Sequence, residues 1–577
     1  MRTRRQRWLQ AAARARLSMV GSMHGLRISS FGYALLALSL YGVMAAASCQ
    51  ALLGLDDPTL RSDGGSAAGG SSTGGTAGAG GGVGGSSIGG RGGSAGAVGC
   101  PAFPVPGAHL WSHTLGGQAE DVALAVAYDA GTIAVVGATR SPSVDLGGSQ
   151  NVPANDDGFQ DAFVAWYAAD GSFRNNLVFT GDGDQLAKAV AVRGNRIYVA
   201  GDFENTIVFD QAAQTSRDAV PTDTPSNGFV VALDEVDGGI EWTVRLDAGA
   251  GTGDWLHLHD LAVDDDGAVW VAGEFRGNLH VEGEGGGPSV PADNRNAFVA
   301  RIHHDKTVLH RDVFRSSTAT NGRVAATAIA PVPGGEYVVV AGEFAGEVEF
   351  PGGATLGHVN VTNESIWLVR LAASSNYQED PVPSTGYGLN DEYEKPSALA
   401  IHASGATFMT GRFQGDSVTF GNHPVNREAS LQDAFVVGLD EVLTPQWAEV
   451  PGEGEPERLF INDVAVDLAE SFVLVGEVHG DSKDFGGGLL DGVVGSDPFV
   501  AKFESDRAHR FSWQLADDYS QAVSIGTSVA IDECGRITVV GGYRGTTAAE
   551  WRRTTGTESI PLDNSSALDL FITQFAP

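Results

Sequence analysis

A chain of 577 residues with 42% hydrophobic and 19% charged residues is long enough for two to four ordinary domains or one large repeat array, and too apolar for full disorder. Its 79 glycines follow no three-residue period, which excludes a collagen triple helix. The formal charge is −35, and because residues 1–48 carry seven arginines and no acid, the remainder stands at −42. A surface that acidic repels phosphate backbones and anionic lipid heads, which argues against nucleic acid partners and basic-patch membrane docking.

The chain opens with Arg2, Arg4, Arg5, Arg7, Arg14, Arg16 and Arg27, followed by the uncharged run FGYALLALSLYGVMAAA from Phe31 to Ala47. A basic stretch and a short apolar run ending in small residues read as an export signal. Ala46-Ala47-Ser48-Cys49 resembles a bacterial lipobox, with Ala46 where Leu is usual. That resemblance makes Cys49 the lipidated first residue of the mature protein, and Gln50 in place of Asp implies outer-membrane sorting. The plainer alternative is a cleaved signal with Cys49 a bystander. Residues 1–48 are therefore taken as a signal segment and 49–63 as a lipidated N-terminal segment. Residues 64–100 form a Gly/Ser-rich linker, with 18 glycines among the 36 residues from Gly64 to Gly99. So little apolar surface cannot offset backbone entropy, and the segment is expected to be a disordered, flexible tether spanning roughly 35 Å.

Residues 101–577 repeat. A β-branched run ending in glycine recurs at Gly137, Gly201, Gly273, Gly342, Gly411, Gly476 and Gly541, at spacings of 64, 72, 69, 69, 65 and 65 residues. A small-residue run such as AVAYD129 or AVAVR193 precedes each glycine run across a Gly, Asn or Asp turn, and a segment such as Asp161-Ala-Phe-Val follows it. A fourth segment carries Trp111, Phe179, Trp242, Phe314, Trp447 or Trp513. Short β-branched runs split by such turns are hairpins, and four short strands per copy cannot bury a core alone. Seven copies predict an all-β seven-bladed β-propeller of four-stranded antiparallel blades, with the alanine-rich run nearest the axis. The first strand, around Trp111, is expected to supply the missing outer strand of the last blade. Cys100 and Cys534 then fall on the same rim, and a disulfide is expected in an oxidising compartment; a free thiol at Cys534 is the alternative.

Asp161-Ala-Phe-Val-Ala165, Asn296-Ala-Phe-Val-Ala-Arg-Ile302 and Asp497-Pro-Phe-Val-Ala-Lys-Phe503 resemble the bacterial β-propeller repeat of cell-surface proteins, and Glu364-Ser-Ile-Trp departs most. The signal, stalk and repeat layout is similar to surface lipoproteins of myxobacteria. The resemblance implies the fold and brings no catalytic residues.

Propellers bind ligands over the central channel. Aligned near the entrance of the inner strand stand Leu124, Lys188, His259, Ala325, Ser397, Asn462 and Thr527, with Asp260 and Asp463 one step later. Lys188, His257, His259, Asp260, Asn462 and Asp463 are the ligand-binding candidates, against the alternative of solvated channel-mouth residues. His257 and His259 alternate on one strand face, but no third ligand completes a zinc site, and no metal site is expected. Asp264-Asp265-Asp266-Gly267 lacks the spacing of a calcium loop and reads as a turn, leaving weak, diffuse Ca2+ binding as the only cofactor expectation. No catalytic residue is assigned, since neither a nucleophile elbow nor a phosphate loop is present. The expectation is a monomeric, surface-exposed outer-membrane or secreted module that binds an extracellular protein or glycan and touches the membrane through its lipid alone. The alternatives are a hydrolase or lyase on polysaccharide, and a structural envelope subunit.

Overall fold

The computed structural model describes residues 100–577 apart from short loop segments, the longest being 374–384 and 283–293; Cys49 and the segments 1–48, 49–63 and 64–99 lie outside the described residues. The described residues contain strands and turns and no helix.

Each repeat builds one antiparallel meander. In repeat two, Gln185–Arg193 pairs with Arg196–Glu204, which pairs with Ser226–Asp234, which pairs with Ile240–Asp247. The same order of inner, glycine-ending, third and outer strand recurs in every repeat, and the sheets are numbered here 1 to 7 in repeat order. In sheet 7 the outer strand is His109–Leu115, which pairs antiparallel with Ser565–Phe575, so the start of the folded chain completes its last sheet. Cys100 and Cys534 form a disulfide with Cα atoms 5.4 Å apart, as the shared rim requires.

The sheets bury their faces on each other. One core joins Ala134 and Val164 of sheet 1 to Val199 and Phe229 of sheet 2. Successive cores join sheets 2 and 3, 3 and 4, 4 and 5, 5 and 6, and 6 and 7. A further core joins Val126 and Phe163 of sheet 1 to Val540 and Ile572 of sheet 7. Sheets packed in sequence order, with the last on the first, form a β-propeller, which leaves no sheet face uncovered.

The 64–72-residue period has a cause that the strand pattern alone does not show. The connection between second and third strands, expected to be plain loop, contains short strands laid on the outer strand of the preceding sheet. Thr206–Asp210 pairs with Phe173–Asp182, His280–Val281 with Ile240–Asp247, Glu347–Glu349 with Val308–Ser316, and Glu550–Arg553 with His509–Ala516. Lys483–Asp484 pairs with Glu453–Gly454, beyond the outer strand of sheet 5. Phe420 of the corresponding hairpin packs on Tyr387, ring centroids 5.0 Å apart. The sheets consequently hold four to six strands, and their outer edges are covered by the neighbour.

All seven inner strands are bulged at one level. The register slips between Ala123 and Ala125, Ala187 and Ala189, Leu258 and Asp260, Ala326 and Ala328, Pro396 and Ala398, Ile461 and Asp463, and Gly526 and Ser528. The bulged residues are Leu124, Lys188, His259, Thr327, Ser397, Asn462 and Thr527. The register corrects one member of the aligned ring: in sheet 4 the equivalent residue is Thr327, two residues after Ala325. An extra residue at a bulge re-aims its side chain and leaves backbone groups unpaired, so polar residues here have structural work available to them.

The acid that opens the third strand closes the long connection. Asp161 is 2% exposed, and its Oδ2 accepts the Asn155 N–H at 2.6 Å; Asp433 Oδ2 accepts the Glu428 N–H at 2.7 Å in the same way. Burial lifts the Asp161 carboxyl from 3.8 to about 6 against the Asn155 bond, with Asp157 adding to the rise. A carboxyl raised in the folded state favours folding while protonated, and that contribution is lost as pH climbs through the interval from about 4 to 6. Asp161→Asn, which places there the residue that repeats two and three carry as Asn227 and Asn296, should therefore gain on the wild type as pH rises from 4 to 7.5. Melting temperatures at the two pH values check this, and an offset that does not change with pH would contradict it.

Candidate functional site

The repeat glycine pairs with the residue just before the bulge, so the residue after that glycine lies beside the inner-strand entrance. Those residues are Ala138, Asp202, Glu274, Glu343, Arg412, Glu477 and Gly542, charged from sheet 2 to sheet 6. In sheets 2 and 3 they meet the bulged residues of the inner strands, Asp202 with Lys188 and Glu274 with His259.

Asp202 is the centre of this cluster. Its Oδ2 receives Lys188 Nζ at 2.5 Å and His257 Nδ1 at 2.7 Å, and its Oδ1 accepts the Leu258 N–H at 2.8 Å. Burial pushes this carboxyl upward, but Lys188 and His257 more than offset it and hold it at about 2. One carboxylate thus ties sheet 2 to sheet 3. Ser226 Oγ lies 3.2 Å from the same His257 Nδ1, and Trp255 lies against the His257 ring at 4.9 Å between centroids.

Deeper in the hub, His259 Nε2 lies 3.6 Å from Glu274 Oε1, and Arg295 lies 3.7 Å from Glu274 Oε2. Burial opposes ionisation of Glu274, yet Arg295 and His259 keep it well below the usual carboxylate range. The His259 ring is 2% exposed, and among the described residues neither of its nitrogens has a hydrogen-bond partner. Burial pushes its pKa down against the pull of Glu274, and Lys188 and Lys395 push the same way. Lys395, from sheet 5, is paired with Glu343 of sheet 4 at 3.2 Å.

Lys188, His257 and His259 are therefore brought together. Asp260, one residue on, turns to sheet 4: its Oδ1 accepts the Leu261 N–H and its Oδ2 the Ile329 N–H, each at 2.7 Å. Asn462 and Asp463 join sheet 6 to sheet 7. Asn462 Nδ2 donates to the Gly526 carbonyl at 2.9 Å, and Asp463 Oδ2 receives Ser528 Oγ at 2.7 Å and Val529 N–H at 2.9 Å. Thr527 continues the pattern, donating to the Ala123 carbonyl of sheet 1 at 2.8 Å. These side chains satisfy backbone groups of the next inner strand beside its bulge.

Sequence reading missed Asp202, Glu274, Glu343, Arg295 and Lys395. The first three were detectable as the acidic residue following the repeat glycine. The turn reading of Asp264-Asp265-Asp266-Gly267 is correct: Asp264 Oδ1 accepts the Asp266 and Ala268 N–H groups, and its Oδ2 receives Trp270 Nε1 and Arg301 Nε.

No protein-family model matches the chain, and no curated protein matches it in sequence. Among solved structures it is similar to the WD40 β-propeller domain of Doa1, at 10% identity over 82% of this chain and 97% of that one, with a TM-score of 0.37. It is also similar to the polysaccharide lyase Uly1, at 8% identity over 78% and 89%, TM-score 0.38. The NanB sialidase from Streptococcus pneumoniae aligns at 8% identity over 80% and 71%, TM-score 0.34. The propeller assignment stands on the strand pairing and shared cores of this chain, and function is argued from its own side chains.

Proposed function

We propose that this protein is an exported, lipid-anchored, seven-bladed β-propeller displayed at the cell surface, where it acts as a binding or adhesion module for an extracellular protein or glycan. The cycle of shared cores from sheets 1 and 2 round to sheets 7 and 1 supports seven blades built on four strands each. In this reading residues 1–48 are removed on export, Cys49 in the 49–63 segment is acylated at the outer membrane, and 64–100 are a slack stalk carrying the 101–577 propeller as a monomer. The observation that carries a binding role is the asymmetric hub: Lys188, His257, Glu274 and Lys395 converge from three blades, the second, third and fifth, around an imidazole that has Glu274 at 3.6 Å and no hydrogen-bond partner among the described residues. A neutral imidazole buried without hydrogen bonds is costly, and a binding site is a place where such a cost has a purpose.

Two substitutions test the two halves. Cys49→Ser should abolish incorporation of labelled fatty acid. Lys188→Ser, which places there the residue of blade 5 at the same bulge, should lower retention of purified envelope polysaccharide or protein on the mature chain by about tenfold, or 1.4 kcal/mol. Unchanged retention removes the hub as the site, and turnover of the polysaccharide in place of retention puts the lyase or hydrolase reading first.

A further inference from the structure

The charge arithmetic of the hub discriminates between ligand classes. Lys188 is matched by Asp202, Arg295 by Glu274 and Lys395 by Glu343, so three cations face three carboxylates. Asp202 and Glu274 are both held ionised by their neighbours. An anionic ligand would have to displace a carboxylate already in place, and a cationic one an ammonium or guanidinium. These three pairs are rich in polar atoms and formally neutral.

Its unused capacity is mixed as well. The His259 imidazole, whose pKa burial depresses, carries one N–H donor and one lone pair; its Nε2 faces Glu274 at 3.6 Å, and among the described residues neither nitrogen has a partner at hydrogen-bond distance. Among the described residues the Lys188 and Lys395 ammoniums each have one paired carboxylate for three N–H groups. Donors and acceptors therefore stand side by side, with no net charge to select for. The ligand group that complements such an array is the hydroxyl, which donates and accepts at once, and several hydroxyls on one rigid ring would engage several of these groups together.

We propose that the hub site around His259 takes a neutral, polyhydroxylated ring, namely an uncharged sugar unit of a glycan. This rests on the binding reading above and names the ligand class of the same site. His259 is the discriminating residue, because among the described residues neither of its nitrogens has a partner at hydrogen-bond distance and Nε2 has only Glu274 at 3.6 Å, while Lys188 and Lys395 serve as secondary donors.

The experiment uses the mature chain and three probes: a panel of neutral trisaccharides (cellotriose, maltotriose, mannotriose), trigalacturonate, and sodium sulfate. Imidazole resonances are followed by NMR and affinity by calorimetry. The expected result is saturable binding of at least one neutral trisaccharide that shifts the His259 resonances. Its Kd should change less than about twofold between 0.05 and 0.5 M NaCl, because no net charge is neutralised. His259→Asn, which introduces the residue of blade 6 at the same bulge, should weaken binding about tenfold, and Lys395→Gln by less.

Trigalacturonate or sulfate shifting His259 with steep salt dependence, in the absence of neutral binding, would overturn the proposal in favour of an anion site. So would a panel that leaves the His259 resonances unmoved. In that second case a mature chain that still retains envelope material, unaffected by Lys188→Ser, shows that binding occurs on another face. A chain that retains nothing brings down the binding reading as well. Should His259→Asn not fold, Lys395→Gln and the wild-type shifts still decide the matter.

Discussion

Deleting residues 101–116 from the mature protein is expected to lower its thermal midpoint by about 10 °C or more, or to prevent folding. The segment completes a sheet. His109–Leu115 fills the outer position of sheet 7 beside Ser565–Phe575, with Trp111 Nε1 donating to Gln574 Oε1 at 2.9 Å and Ser112 Oγ to Thr573 Oγ1 at 3.1 Å. Upstream, the Gly107 carbonyl accepts Trp513 Nε1 at 2.8 Å, and the Pro106 carbonyl accepts Arg553, so the same residues seal sheet 6. Loss of this stretch exposes the edge of Ser565–Phe575 and uncovers the core that holds the last sheet against the first, opening the ring where it closes. Cys534→Ser isolates the covalent part of the closure. The bridge spans 434 residues, and a loop of that length gives about 6 kcal/mol in the chain-entropy account, an upper figure for the measured loss. Calorimetry of the three proteins orders them as wild type, Cys534→Ser and deletion, from most to least stable. A deletion variant as stable as Cys534→Ser would mean that the strand pairing adds nothing.

The propeller was readable because its signals are local and repeated. Glycines at a steady spacing, Gly/Asn/Asp turns and the Asp-Ala-Phe-Val segment each specify a hairpin within a few residues, and repetition turns a weak signal into a strong one. The covering hairpins were not readable, although Val144-Asp-Leu146, Ile207-Val-Phe209, Val348-Glu-Phe350 and Val418-Thr-Phe420 share a spaced apolar pair. Each is short, and what it pairs with or packs against includes residues of the preceding sheet, so no period-2 run announces it. The candidate site divides in the same way. Lys188 and His259 stood out as unusual residues in an aligned column. Their partners Asp202 and Glu274 sit on the neighbouring strand after the repeat glycine, and that such residues meet the bulge is a fact of register. Asp260, Asn462 and Asp463 also stood out, and the register shows why a polar residue is needed there even without a ligand. The off-by-two placement in sheet 4 has a related origin: Ala325 and Thr327 both fit a small-residue strand, and only the bulge distinguishes them.

Gly342→Ala is expected to cost about 3 kcal/mol or more, measured by denaturant unfolding, although it adds a single methyl group. At each repeat glycine the second strand passes so close to the bulged inner strand that an added Cβ would meet a backbone carbonyl. The distance is 1.9 Å from Gly137 to Val122 O and from Gly201 to Leu186 O, 2.0 Å from Gly342 to Ala325 O, and 2.2 Å from Gly273 to His257 O. A backbone carbonyl cannot swing aside as a side chain can. At Gly342 the indole of Trp367 stands a further obstacle at 2.4 Å, and it is itself packed on Phe314 with centroids 4.7 Å apart. Relief would require flattening the bulge, which would turn Thr327 and its neighbours out of their places at the hub and break the Thr327 bond to the Pro396 carbonyl of the next sheet. Gly131→Ala is the matched control. That residue sits in an open turn at φ +89° with nothing within 4 Å of a Cβ, so only backbone strain of about 1 kcal/mol applies. If Gly342→Ala were no worse than Gly131→Ala, the glycine period would be a matter of turn propensity. If it is several times worse, the period records seven close approaches between paired strands, and the bulges that aim Lys188 and His259 into the hub depend on the same seven residues.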